Sequence, residues 1–268
     1  TTPSPILSGL VGSEMCIRDS NRLILCSFFT IKFFYYIAHF SLLFAMETSE
    51  LSYCGIKFEV KKNGYSDINF ILIHGDEETA RMLLNEHIQN NQGRAFFIKS
   101  KEREVPIGPT IVDPNRIFSR PGAEKALKKF KTDWQSKELE DLLDQLDNSR
   151  NKFLFNLFPS EGGLLISLHN NFRGYNVKDE LKKSQSHSIK KNQNPRDFII
   201  CTNENDYKKL KRGPYNIVLQ STMDENNDGS LSWAALGNGV RYINIETRLG
   251  WLSQQRKMLD FVENSLRK

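Results

Sequence analysis

Residues 68–91 read INFILIHGDEETARMLLNEHIQNN, and the fold turns on how they are read. INFILI is a nearly continuous apolar run, the pattern of a strand buried on both faces. It stops at His74-Gly75-Asp76-Glu77. The residues that follow place Ala80, Met82, Leu83, Leu84 and Ile88 at helical spacing, and NNQG ends that helix. Strand, polar turn and helix in this order open an α/β unit. In such units the ligand site lies beyond the carboxyl ends of the strands.

Outward from this stretch the alternation continues. CGIKFEVKKNG (54–64) predicts the first strand and RAFFIKS (94–100) the third. VPIGPTIVDPNRIFSRPG (105–122), rich in proline and glycine, predicts a loop. A long helical region is expected from about Ala123 to Phe155, with ELEDLLDQLDNSR its clearest amphipathic part. GGLLISLHNN (162–171), FIICT (198–202), YNIVLQS (215–221) and RYINIET (241–247) read as strands. NDYKKL (205–210) and WLSQQRKMLDFVENSL (251–266) read as helices. The polar segment 173–197 carries no clear element. The expectation is a three-layer α/β/α domain over 46–268 with a mostly parallel or mixed central sheet. No internal repeat is visible.

The chain has 268 residues, 39% of them hydrophobic and 11% aromatic, enough for a packed core. Much of its net charge of +5, from 37 basic and 32 acidic residues, comes from the stretch Lys182–Arg196 and the C-terminal SLRK, and it reads as surface balance, so no nucleic-acid partner is expected. Cys16, Cys26, Cys54 and Cys201 show no paired spacing, which points to a reduced compartment, the cytoplasm. Residues 1–45 differ from the rest. LILCSFFTIKFFYYIAHFSLLFA (23–45) is long and apolar enough for a membrane span or a leader. LVGSEMCIRDS (10–20) resembles translated sequencing adapter, and Met46 offers a fresh start. The favoured reading is that 1–45 is not natural protein. An anchor comes second and a packed hydrophobic helix third, and a membrane partner is expected only if the segment is genuine.

Three strands end in suggestive polar residues. The first delivers His74 and Glu77, spaced HxxE; the second delivers His169; the third delivers Glu246. Two histidines and one carboxylate form a common catalytic zinc shell that leaves a position for water. Zinc lowers the pKa of that water towards ~7, and a separate carboxylate is then needed to move the proton. Glu246 is the spare carboxylate. A lone strand-end histidine is more often a hydrogen-bonded residue than a ligand, so the set carries the argument. Asn115 and Arg116, in VDPNRIFSR (112–120), present an amide and a guanidinium suited to a carboxylate. The plainer reading pairs Arg116 with a local Asp.

These motifs resemble a family. IHGDE is similar to the metal motif of the succinylglutamate desuccinylase/aspartoacylase group, and DPNRIF to its Asp-Leu-Asn-Arg motif, within the zinc carboxypeptidase-like superfamily. The similarity covers Ile68 to Thr247 through short motifs in the same order, with Pro114 where Leu is usual. The resemblance implies that His74, Glu77 and His169 hold zinc and that Glu246 is the general base. It also implies that Asn115 and Arg116 grip a free carboxylate. Tyr175 and Arg173 are candidates for the substrate-binding Tyr and the oxyanion-stabilising Arg. The implied function is hydrolysis of a peptide or N-acyl amino acid bond near a free carboxylate; the alternative is a non-catalytic binding domain on the same scaffold. Both rings, His74 and His169, must then lie on one side of the sheet.

Other signals are set aside. DENNDGSLSWAA (224–235) imitates a calcium loop but has Ala235 where a bidentate Glu belongs, so it reads as a polar loop or lid. His87 is expected to face solvent, and His187 carries no signal. Asp76 and Glu78 flank Glu77 and stand as substitutes for it. Asp113 has two equal readings, orienting a histidine or Arg116, or capping a turn.

Overall fold

The computed structural model describes residues 46–172, 174–224 and 227–267. The readings of residues 1–45 and of Arg173 lie outside them. The described chain opens with a hairpin that the sequence reading missed in part. β1 (Glu47–Tyr53) and β2 (Ile56–Asn63) pair antiparallel about the two-residue turn Cys54-Gly55. β3 (Ile68–Leu72), all of it buried, leads through His74 to α1 (Glu78–Asn90), and β4 (Gly93–Ile98) follows.

The stretch expected to be loop forms a second, small hairpin. It consists of β5 (Val105–Ile107) and β6 (Thr110–Val112), followed by a 3-10 turn at Pro114–Arg116. The long helical region is two helices, α2 (Arg120–Phe130) and α3 (Ser136–Leu157). Next come β7 (Leu164–Asn171), the short α4 (Val177–Glu180) and β8 (Ser186–Ser188). β9 (Phe198–Cys201), α5 (Glu204–Leu210) and β10 (Asn216–Leu219) follow. A helix not foreseen in the sequence, α6 (Leu231–Gly237), precedes β11 (Arg241–Arg248) and α7 (Leu252–Leu266).

Nine strands form one mixed sheet in the order β1-β2-β4-β3-β7-β11-β9-β10-β8. The central strands β4, β3, β7 and β11 run parallel, β9 is antiparallel to β11, and β10 is parallel to β9. Alternation of side chains feeds two cores. Ile71, Phe96, Leu165 and Tyr242 face the layer containing α2, α3 and α6; Phe70, Phe97, Ile166 and Ile243 face α1, α5 and α7. The architecture is therefore α/β/α in three layers. Each fully buried Leu, Ile or Phe contributes about 1.5–3 kcal/mol of transfer free energy, which explains why the centre of the sheet tolerates apolar runs alone. Among the described residues no helix is long and apolar enough to cross a membrane.

The same alternation positions the site. On β7, Leu164, Ile166 and Leu168 point into the α1/α7 core, while Leu165, Ser167, His169 and Asn171 share the other face. On β11, Tyr242, Asn244 and Glu246 share that other face too, in register with Leu165, Ser167 and His169. Towards the carboxyl ends of β7 and β11 the face turns from apolar to polar.

Candidate metal centre

His74 lies two residues past the end of β3, and Glu77 is the residue from which α1 starts, its carbonyl accepting from Arg81 N at 3.0 Å. The turn between them needs glycine because of what packs on it. A Cβ at residue 75 would stand 2.5 Å from the Glu102 carbonyl oxygen and 2.6 Å from that of Ser100. Gly75 N donates to that Glu102 oxygen at 3.0 Å, so the 100–102 turn is held against the motif. Arg103, next in the chain, reaches into the site. Its Nη1 lies 3.3 Å from Glu77 Oε1 and its Nη2 4.0 Å from Asp113 Oδ2.

Three side chains from two strand ends and a helix start converge. The His74 and His169 rings lie on the same side of the sheet, 5.1 Å apart between centroids. His74 Nδ1 is 2.8 Å from Glu77 Oε1, and His169 Nδ1 is 3.2 Å from the same oxygen. One ligand atom from each of the three lies within 4.8 Å of the others, and all three residues are buried. The opposite ring nitrogens are occupied. His74 Nε2 sits 2.8 Å from Asp113 Oδ1, and His169 Nε2 sits 2.8 Å from Ser167 Oγ. Partners at Nε2 fix each ring's orientation and direct Nδ1 inward.

The donor set suits a divalent ion. Two imidazole nitrogens and a carboxylate are the ligands that zinc takes. Glu77 Oε2 supplies a structural test of this fit. It lies 3.1 Å from His169 Nδ1 but is buried and accepts no hydrogen bond from the described residues, whereas Oε1 is crowded by both imidazoles and Arg103. A buried carboxylate oxygen whose near neighbour is a poorly aligned imidazole nitrogen is only partly satisfied, and a cation bound there would complete it. Among the flanking acids, neither Asp76 nor Glu78 joins the cluster.

The electrostatics follow from crowding. Burial alone would push the His74 imidazole down, but the Glu77 and Asp113 carboxylates outweigh it and hold the ring at about 9. Burial opposes ionisation of Glu77, and the two imidazoles overcome it, holding the carboxyl well below the usual range. Glu246, in register with His169 across the β7/β11 ladder, behaves in the opposite way. Burial, helped by the Glu77 charge, raises its carboxyl above the usual 4.5 although His169, Asn244 and Asn171 pull it down. Asn244 Nδ2 donates to its Oε1 at 3.2 Å and Asn171 Nδ2 to its Oε2 at 3.3 Å. Arg196 Nε in turn donates to Asn171 Oδ1 at 3.1 Å.

These groups open into a cleft of about 540 Å³ that also takes in Asn115, Arg116, Tyr175, Lys183 and Asp228. Arg116 donates to the Asn115 carbonyl at 2.8 Å and, among the described residues, forms no ion pair. The plainer reading of Arg116, paired with a local Asp, keeps its electrostatic part, because the guanidinium helps hold the Asp228 and Asp113 carboxyls low. Asp228, whose carboxyl Arg116 and Lys183 hold low against the effect of burial, is 3.5 Å from Lys183 Nζ. Asn115 is less free than its motif suggests, because its Oδ1 accepts from Leu231 N at 2.9 Å and anchors the start of α6. The loop ahead of α6 is pinned to the same turn. Gly229 has φ +77°, and a Cβ there would collide with the Arg116 carbonyl oxygen. The described part of the loop that imitates a calcium site, from Asp228 onward, thus serves as a wall of the cleft.

Tyr175 lines the cleft, its hydroxyl donating to the buried Glu180 at 2.7 Å. Burial and the Glu246 and Glu180 carboxylates push its phenol well above the ordinary value. Asp113 answers to both of its readings, since the oxygen facing His74 also accepts from Asn115 N at 2.8 Å. His87 contradicts the expectation of a solvent-facing residue. It is buried between α1 and α7, with Nε2 3.2 Å from Glu263 Oε2 and its ring edge-on to Phe70. The sequence reading also missed Arg103, Ser167 and Asn171, none of which belongs to a motif. The one available signal was the i, i+2 alternation on β7 that places Ser167 and Asn171 beside His169.

No known family model matches the chain, and no curated protein matches it. Among solved structures, the ectoine utilization protein EutE (DoeB) from Ruegeria pomeroyi is 13% identical with a TM-score of 0.42. That likeness covers 82% of this chain and 65% of EutE, so this chain spans just under two thirds of EutE's length. A candidate metallopeptidase from Shewanella denitrificans is 10% identical with a TM-score of 0.45, over 88% of this chain and 90% of that one. Another from Shewanella amazonensis is 11% identical with a TM-score of 0.41, over 83% and 88%. At TM-scores below 0.5 these likenesses say nothing of what this chain does. Its chemistry is read from its own side chains.

Proposed function

We propose that this protein is a zinc-dependent hydrolase that cleaves an amide bond, in a peptide or an N-acyl amino acid, near a free carboxylate of the substrate. The observation that carries the reading is the convergence of His74 Nδ1, His169 Nδ1 and the Glu77 carboxylate, with a buried, weakened acid, Glu246, in register beside them. When bound, the ion supplies Lewis acidity, polarising a carbonyl and making water acidic enough to attack at neutral pH. His74, Glu77 and His169 would hold it, with Asp113 and Ser167 fixing the two rings.

Glu246 does the proton work. Its raised affinity for a proton suits it to take one from the attacking water and return it to the leaving nitrogen as the C–N bond breaks. The products are a carboxylic acid and an amine. Asn171 and Asn244 hold the carboxylate in place. Arg103 supplies positive charge beside Glu77, where the carbonyl oxygen gains negative charge as water adds. Arg116, the cleft guanidinium without an ion pair among the described residues, binds the substrate carboxylate by paired hydrogen bonds, and the Asn115 amide and Tyr175 flank it. The partner is a small molecule or peptide bearing a free acid; no nucleic acid is involved. Catalysis in the cytoplasm fits the free thiols of Cys54 and Cys201.

The test is direct. Purified protein should carry about one zinc per chain, and Glu246→Gln should lose hydrolysis while keeping the metal. A protein that binds no metal and turns over neither acyl-amino acids nor peptides is the non-catalytic binding domain instead.

A further inference from the structure

We infer that Asn244 recognises the N–H of the bond that is cut, its side-chain carbonyl accepting that hydrogen, so that the cleft takes secondary amides and discriminates against esters and N-alkylated amides. This rests on the hydrolase reading above and specifies its substrate class.

The two ends of the Asn244 amide have different surroundings. Nδ2 donates to Glu246 Oε1 at 3.2 Å. Oδ1 is buried and has no hydrogen-bond partner among the described residues. Turning the amide over would set its carbonyl against the Glu246 carboxylate and remove one of that group's two side-chain donors, so the orientation is dictated by Glu246. The residue is 7% exposed and lines the cleft, and the β7/β11 ladder sets its side chain on the same face as Ser167, His169 and Glu246, away from the α1/α7 core. A buried carbonyl without a donor costs about 1–3 kcal/mol.

Among the described residues no donor is in place. On one side the ladder sets Asn244 beside Ser167, whose hydroxyl is engaged with His169 Nε2 at 2.8 Å. On the other side it sets Asn244 beside Ile200, which is apolar. The donor must come with whatever fills the cleft. Glu246 returns its proton to the leaving nitrogen, so that nitrogen comes within hydrogen-bond reach of the Glu246 carboxylate. Asn244 touches the same carboxylate. The hydrogen already on the nitrogen is then the nearest donor a substrate brings to Oδ1. A secondary amide has it; an ester and an N-methyl amide do not, and either leaves Oδ1 unpaired. Sites built to pair an N–H or O–H discriminate strongly against analogues that lack it.

The experiment compares wild type, Asn244→Ala and Asn244→Ser, each zinc-loaded and shown to be folded by thermal unfolding. Substrates are N-acetyl amino acids, their N-methyl counterparts and the O-acetyl 2-hydroxy acids of the same side chains. Binding of matched phosphonamidate and phosphonate analogues, measured by calorimetry, gives a readout that needs no turnover. Both variants also lose the donor to Glu246, so all substrates slow; the decisive quantity is the amide-to-ester ratio of kcat/KM. That ratio should fall about 10–100-fold in the variants, and the wild-type preference for phosphonamidate over phosphonate should vanish. Ratios within about twofold of wild type in both readouts overturn the inference and leave the hydrolase standing. A wild-type protein that neither cleaves the panel nor binds either analogue overturns both.

Discussion

Asp113 is where two demands meet in one atom, and separating them tests how the site is built. Its Oδ1 lies 2.8 Å from His74 Nε2 and also accepts from Asn115 N at 2.8 Å, capping the turn that carries Asn115 and Arg116. Asp113→Asn keeps a carbonyl oxygen for both bonds but removes the charge. Charge-assisted hydrogen bonds are about twice as strong as neutral ones, so a loss of about 1 kcal/mol, some fivefold in zinc affinity, is expected. Asp113→Ala removes both bonds. Losing the group that orients a ligand histidine costs about 10–100-fold in metal affinity, and losing the cap costs about 1 kcal/mol of stability. In a domain of this size that lowers Tm by about 2–4 °C. Competition with a chelator reads the affinity, and thermal unfolding of metal-free protein reads the cap. The reasoning is refuted if Asp113→Ala lowers Tm as expected while zinc affinity stays within about twofold of wild type, since Asp113 would then be a turn cap alone.

Three further outcomes follow from the geometry. Arg116→Ala should raise KM for carboxylate-bearing substrates about 10–150-fold, the worth of a charged hydrogen-bonded contact, and leave zinc content unchanged; an unaltered KM refutes the assigned grip. In metal-free protein His74 is held at about 9 against an ordinary 6.5, so the proton must leave before the ring can ligate. Zinc affinity should therefore fall about tenfold per unit as pH drops below about 9. The stability this ring gives the metal-free fold should be fully present below pH 6.5 and lost as pH rises through about 9; affinity that is flat between these values contradicts the account. His87→Ala leaves the buried Glu263 with Arg267 as its remaining partner, at 2.6 Å, and should cost about 1–3 kcal/mol in thermal unfolding without altering zinc affinity.

What was legible in the sequence was what period and motif carry. INFILI announced a strand buried on both faces, and β3 is one. HxxE, His169 and Glu246 announced residues that the structure brings together, because strand ends in an α/β sheet share one edge. β1 was invisible because ETSELSY is exposed along most of its length and has no apolar period. The break between α2 and α3 fell in a stretch without glycine or proline, and α6 was hidden behind an Asn/Asp/Gly-rich loop. His87 misled because Asn85, Glu86, Gln89 and Asn90 surround it with polar residues; its burial depends on α7, far along the chain. Arg103 could not be found by pattern. It reaches Glu77 because the backbone at 100–102 packs against Gly75, a tertiary fact that no local spacing records.

The central claim is that one divalent ion binds where His74, Glu77 and His169 meet. Anomalous diffraction at the zinc edge from crystals grown with the metal tests it most directly. The account predicts a single strong peak ~2.0–2.1 Å from both Nδ1 atoms and ~2.0–2.2 Å from a Glu77 oxygen. A peak bound elsewhere, or none in protein saturated with zinc, contradicts it.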